Sequence, residues 1–477
     1  MTTIAVIVAL ALLLVLLAIR TPVAIALGVA GAAGLLLLKG FGYTGSVIGS
    51  SPFTNTASFS LTIIPLFILM GMFAVRANMA EHVFAIASRA ARRAPGGLGV
   101  ATVMACAGFS AVSGSSIGTA ATMSKLAVGE MRRHGYPAHL ASALVAVAGT
   151  LGVMIPPSTF LVLYAILAQE SVGQMLAAGI IPGIISALAY TVYIMIAGSR
   201  ITPQAMAEES LAGVAGKAHQ DAVEARTIRE GRDVTALKTA PPAAGEAQQQ
   251  SWRSMPWRGL VRVVILFAVV LGGMYSGLFT STESAAIGAL AAFVMLVLEN
   301  RRKGLRSIFA SFRGALQDTG STTAMVFMII IGSGILSTFF VAARVPDAIT
   351  SAVAGLNMPP MLTMALLLLC LIPLGMVLES LSILVITVPI LYPIAMELGF
   401  DGIWLGILIV KLIEIGMVTP PVGINVFVVA GTSGVPTEQV FRGILPLFLI
   451  DLGTVVLLFL VPAITLFLPS LVAVGAG

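Results

Sequence analysis

Two proline pairs set the chemistry open to this sequence. Pro156-Pro157 and Pro420-Pro421 interrupt two long apolar stretches, Leu140–Leu167 and Ile403–Val429. Proline lacks an N–H, so each pair frees carbonyls upstream of it from their helical donors. Gly149 and Gly152 let the chain turn before the first pair, and Gly416, Met417, Val418 and Thr419 lead into the second. Carbonyl oxygens released this way are good ligands for a hard cation such as Na⁺. One such break is explained equally well as a kink. Two in matching positions favour a site.

Polar residues precede each break. Ser113, Gly114, Ser115, Ser116 and Thr119 interrupt the apolar run from Leu98 to Thr122, and Gly375, Glu379, Ser380 and Ser382 interrupt the run from Met361 to Met396. Helices starting at such interruptions would point N–H groups at an anion. Hydroxyls in apolar helices also serve merely to bond their own or a neighbouring helix. Glu379 stands apart, because a carboxylate at membrane depth is a functional candidate by default. It either binds a cation or fixes the tip through main-chain N–H groups. Lys411 and Glu414, three residues apart, suit a mutual ion pair. Glu283 follows Thr280 in the pattern of a helix N-cap. His82, His134, His139 and His219 form no metal-ligand pattern.

The elements that must position these residues are membrane spans. Of 477 residues only 10% are charged and 58% are hydrophobic, and the mean hydropathy is +1.04. Soluble proteins carry about 25% charge. The composition excludes a soluble enzyme, a disordered chain and a disulfide-stapled secreted domain. It indicates an all-α polytopic protein whose surroundings are the lipid bilayer. The apolar runs are too long and continuous for the alternating strands of a β-barrel. The net charge of +6 lies in loops between these runs, so it reads as a topology signal with no nucleic-acid partner implied. Ile4–Ile19 reads as a retained span.

Further spans are expected at Val23–Leu38, Leu61–Val75, Met175–Ile196, Val261–Phe279, Ala285–Leu298, Ala324–Val341 and Ile444–Phe467. Arg76–Arg93 and Arg301–Gln317 are basic and amphipathic and suit the membrane surface. Thr202–Trp257 is polar and reads as an exposed loop.

An internal repeat organises the chain. With an offset of 264 positions, the proline pairs align without gaps alongside Cys106 with Cys370, Ser116 with Ser380, Gly135 with Gly399 and Gly152 with Gly416. Gly179-Ile180-Ile181-Pro182 aligns with Gly443-Ile444-Leu445-Pro446 in the same register. Each half has three spans, an interrupted segment, a broken span and one more span. If the interrupted segment is a re-entrant hairpin, each half crosses an odd number of times and the second is inverted. Charge agrees. Arg89, Arg92, Arg93, Lys125, Arg132 and Arg133 flank the first hairpin, whereas Asp347, Glu397 and Asp401, with Arg344 the basic exception, flank the second. The expected organisation is a first repeat at 1–198, a cytoplasmic polar loop at 199–258 and a second repeat at 259–477, with both termini periplasmic. Inverted halves with paired broken helices point to a secondary transporter.

At these residues the sequence resembles the large membrane subunit of the tripartite ATP-independent periplasmic (TRAP) transporters. The resembling stretches are 111–121, 129–136 and 149–158 in the first half and 280–286 and 416–425 in the second. They belong to a likeness that covers nearly everything but Thr202–Trp257, and the proline-pair pieces are also similar to divalent-anion/sodium symporters. The resemblance implies an inverted-repeat, elevator-type transporter with two re-entrant hairpins and two broken helices, located in the bacterial inner membrane. It implies Na⁺ as coupling ion, two or more per cycle. It also implies a small organic anion, typically a carboxylate, as substrate, a periplasmic substrate-binding protein that delivers it, and a separate small four-span membrane subunit. By position, Na⁺ would be held by Ser113, Gly114, Gly149 and Gly152 in the first half. In the second half Glu379, Gly416, Val418 and Thr419 would hold it. The anion would lie near Ser115, Ser116, Thr119, Ser380, Ser382 and Asn425. The polar loop departs from the family pattern. A self-sufficient symporter, a membrane-embedded enzyme and a purely structural membrane subunit are the competing readings.

Overall fold

The computed structural model describes residues 2–19, 21–198, 257–345, 348, 358–378, 380–421 and 423–474. The polar loop up to residue 256, Asp347 and Glu379 lie outside them. Among the described residues the chain is helical and has no strand. Among the described residues seven helices are long and apolar enough to cross a bilayer, and the bent pair Ala138–Met154 and Thr159–Ala168 makes an eighth. Ile4, Leu14, Leu188 and Leu457 face outward from their helices. Lipid imposes that pattern, since only a closed backbone in an apolar coat is stable there.

The repeat seen in the residues recurs in the backbone. Ser116–Met123 and Ser380–Glu397 begin 264 residues apart, as do Ala138–Ala148 and Gly402–Gly416. Left-handed backbone recurs at Gly135 (φ +82°) and Gly399 (φ +81°), and again at Gly40 (φ +81°) and Gly304 (φ +91°). Both proline-pair peptide bonds are cis.

Several expectations change. Most of Arg301–Gln317, expected as a surface helix, continues into the next span as the single helix Leu305–Ala342, and the last span expected at Ile444–Phe467 is divided between Thr437–Leu460 and Ala463–Val474. The span expected at Val23–Leu38 kinks at Gly40, and the helix then continues to Thr56. The second interruption is narrower than Gly375–Ser382. Helix Leu371–Val377 carries Gly375 inside it, because that glycine serves a helix contact and not a turn.

The helices fall into two packing groups. Thr2–Ala18, Val23–Thr56, Ile63–Arg76, Ser281–Asn300 and Leu305–Ala342 pack mainly on one another. The two longest cross with backbones nearly touching: a Cβ on Gly31 would lie 2.7 Å from Leu336 Cα. Small residues at such crossings replace the hydrophobic drive that lipid removes. The second group contains both hairpins, both broken helices and the spans Val172–Gly198 and Thr437–Leu460. Trp404, Leu408, Ile409 and Ile413 of the second broken helix are buried within it.

Candidate functional site

The first hairpin runs up Gly97–Ser113, turns through Gly114 and Ser115 and returns along Ser116–Met123. Gly114 takes φ +60°, a conformation that costs glycine little. Ser115 caps the returning arm, its Oγ accepting from Gly118 N–H at 3.2 Å. Ser113 Oγ and Thr119 Oγ1 are 2.9 Å apart, and Ser110 Oγ donates to Thr119 at 3.4 Å.

This tip sits on the first break. Thr159 Oγ1, just past the proline pair, donates to Gly114 O at 3.2 Å. A Cβ on Gly152 would lie 3.1 Å from Ser115 O, and one on Gly149 would lie 3.0 Å from Ala120 Cβ. Ser113, Gly114, Gly149 and Gly152, assigned to the cation, and Ser115 and Thr119, assigned to the anion, therefore lie together, with Ser110 and Thr159 beside them. The carbonyls of Ile155, Pro156 and Pro157 accept no hydrogen bond from a described residue. Main-chain carbonyls and hydroxyls of this kind suit a hard cation.

The second break is held differently. A Cβ on Gly416 would lie 2.5 Å from Gly375 Cα, so the broken helix and the rising hairpin arm meet backbone to backbone. Thr419 Oγ1 donates to Ile415 O at 2.6 Å. The carbonyls of Val418, Thr419 and Pro420 accept no hydrogen bond from a described residue. Glu379, assigned to this site by sequence, lies outside the described residues.

The two tips converge on Met417. Ser116 Oγ approaches its sulfur at 3.7 Å, and Ser380 Oγ contacts the same sulfur. Asn425 N–H donates to Met417 O at 3.2 Å. The Asn425 side chain is fully buried, yet neither its Oδ1 nor its Nδ2 has a partner among the described residues. A buried amide left bare costs about 1–3 kcal/mol, so this pair of atoms marks a position that a polar ligand can satisfy. Ser382 sits elsewhere. It lines a cavity of about 350 Å³ with Pro22, Val23, Ala24, Ile25, Met325, Met328 and Ile329, against the outer group.

Beside the second break lies a buried ionic cluster. Lys411 Nζ is 3.0 Å from Glu414 Oε2 and 2.7 Å from Asp451 Oδ1, and Tyr190 O–H donates to Asp451. The Lys411–Glu414 pair was evident from spacing. Asp451 and Tyr190 were missed, although a carboxylate within an apolar span is a signal available for Asp451. Glu283 is the N-cap partner expected: it and Thr280 form a reciprocal capping box.

Comparison with known proteins agrees with this architecture. The model of the family "Tripartite ATP-independent periplasmic transporter, DctM component" matches residues 10–464. The chain is similar to the C4-dicarboxylate TRAP transporter large permease protein DctM of Pseudomonas aeruginosa, at 32% identity over 93% of each chain. It is 31% identical to the isethionate TRAP transporter permease protein DctMQ of Oleidesulfovibrio alaskensis, over 94% of this chain and 64% of that one. Its fold is similar to that of the Alcanivorax borkumensis YdaH transporter, with a TM-score of 0.61 at 15% identity over 97% of this chain and 98% of that one. With its family model matched over nearly the whole length, the chain belongs to the DctM-component family of tripartite ATP-independent periplasmic transporters.

Proposed function

We propose that this chain is the large membrane subunit of a Na⁺-coupled importer of a small organic anion in the bacterial inner membrane. The observation that carries the reading is the orphaned Asn425 amide beside Met417, where both hairpin tips meet. A buried polar group without a partner is tolerated where a ligand supplies one. The anion would lie there, near Ser115, Ser116, Thr119, Ser380 and Asn425. Na⁺ would be held at the first break by Ser113, Gly114, Gly149 and Gly152. At the second break Gly416, Val418, Thr419 and Glu379 would hold it. Na⁺ bound at a break supplies positive charge next to the anion, and the protein's part is to bury both away from lipid and water.

The relatives support an anionic substrate. One is named for C4-dicarboxylates and another for isethionate, a sulfonate. A carboxylate is the first class to test. The substrate would be delivered by a periplasmic binding protein, and a small four-span membrane subunit would complete the permease. In the DctMQ relative, the match leaves about a third of that chain over, enough for such a subunit. The hairpin-and-broken-helix group would move against the outer group in an elevator cycle. Both termini would be periplasmic and the loop 199–258 cytoplasmic.

Reconstitution tests this reading. The chain and its small partner are placed in proteoliposomes with the cognate binding protein, and a labelled carboxylate panel is offered under a Na⁺ gradient or with ATP. Uptake that requires Na⁺ and the binding protein and ignores ATP is expected. Na⁺-driven uptake without the binding protein would instead identify a self-sufficient symporter.

A further inference from the structure

The two broken helices differ in one feature that their shared geometry does not require. Between Leu140 and Ala168 the first contains no carboxylate and no ammonium. At the 264-residue offset, Lys411 replaces Val147, Glu414 replaces Thr150, and Asp451 on the neighbouring span replaces Ala187. The first half builds its break without these charges, so such a break folds without them. Buried ion pairs are also weak sources of stability, since desolvation offsets most of their attraction.

The cluster is unbalanced. With both carboxylates ionised, one ammonium faces two carboxylates, which leaves one negative charge in excess. Lys411 has three N–H donors, and all are engaged: by Asp451 at 2.7 Å, Glu414 Oε2 at 3.0 Å and the Tyr190 hydroxyl oxygen at 3.4 Å. Tyr190 O–H is itself donated to Asp451. Glu414 Oε1 is buried with no donor among the described residues. Glu414 precedes Met417 by three residues, about 4.5 Å along a helix axis. The excess charge thus sits at the threshold of the second break, and the first break has no counterpart.

Building on the proposed cation sites, we infer that the Lys411–Glu414–Asp451 cluster adds its excess charge to the proposed Glu379 ligand as counter-charge for the cation at the second break, and makes that break the tighter of the two sites. Among the described residues, the groups placed at the first break are neutral carbonyls and hydroxyls. One unit charge acting over roughly 8 Å through an effective dielectric of about 20 changes binding about thirtyfold. Asp451 contributes without touching the break, through the field of the cluster.

The test is Na⁺ binding to the purified full-length chain in lipid nanodiscs, read by titration calorimetry and by Na⁺-dependent thermal stabilisation. Wild type is expected to show a tight and a weak Na⁺ site. Glu414→Gln and Asp451→Asn each remove the excess charge and should weaken the tight site about thirtyfold, leaving the weak site unchanged. Glu414→Asp keeps the charge and should keep the affinity. The double variant Lys411→Met/Glu414→Gln retains one net negative charge and should also keep it. That result separates charge from damage to the helix. Wild-type affinity in both Glu414→Gln and Asp451→Asn, or equal weakening of both sites, overturns the inference and leaves the cation sites standing. No Na⁺ binding by the wild type overturns the cation reading itself, and the inference with it.

Discussion

Asn425 makes the strongest demand on a ligand. It is buried, it sits one hydrogen bond from Met417, and its amide group has no partner among the described residues. Asn425→Leu removes two bare polar atoms at similar volume, so the variant should melt no lower than wild type, by the same argument that assigns about 1–3 kcal/mol to an unmet buried group. Its Na⁺-driven anion uptake should fall at least tenfold. Wild-type uptake in a variant of unchanged or raised melting temperature would show that the amide does not serve the substrate. Single residues were readable in the sequence where their partners are local. The Thr280–Glu283 cap and the Lys411–Glu414 pair follow from spacings of three. Tyr190 joins Lys411 across 221 positions, and no local spacing encodes such a contact. Met417 is legible in the sequence as part of the second break, but not as the point where the tips meet: a methionine sulfur in an apolar run signals nothing until two tips are seen to meet on it.

The hairpins and broken helices place those residues, and their close contacts give an ordered set of mutational effects. A Cβ at position 416 would meet Gly375 Cα at 2.5 Å, a main-chain atom that cannot step aside. A Cβ at position 152 would meet Ser115 O at 3.1 Å, which a shift of a few tenths of an ångström relieves. Gly416→Ala should therefore cost about 1–3 kcal/mol in stability and abolish most uptake, and Gly152→Ala should do less of both. Thermal melting of the detergent-solubilised variants alongside uptake checks the order, and a reversed order would contradict this packing. The breaks themselves were evident from proline pairs in apolar runs, and the first tip from its run of serines. The extent of the second tip was not. Gly375 looks like a turn residue by type, but it is spent on the close approach to Gly416, and only the tertiary contact reveals that use. Gly40 is the converse case: it kinks a helix that continues to Thr56, because sequence polarity marks where a span leaves lipid and not where a helix stops.

The molecule as a whole divides into an outer group and a group that carries both breaks. Membrane residence and a repeat at one offset are legible in composition and in residue matches, because lipid forces long apolar runs and matched residues keep their register. How the two groups pack is not, since lipid-facing and buried faces of a span are equally apolar. The elevator reading makes the boundary between the groups a sliding surface, and Ser333 marks it. Its Oγ donates to Val385 O at 2.9 Å, from the long outer span to the second hairpin. The most direct measurement is Na⁺-driven uptake by a Ser333→Cys/Val385→Cys variant in a Cys370→Ser background, with its binding protein and small subunit, before and after cross-linking with a short thiol-cleavable reagent. Uptake should be present before cross-linking, fall to background when the two groups are joined, and return on reduction. Undiminished uptake by fully cross-linked protein would contradict a core that moves against its scaffold.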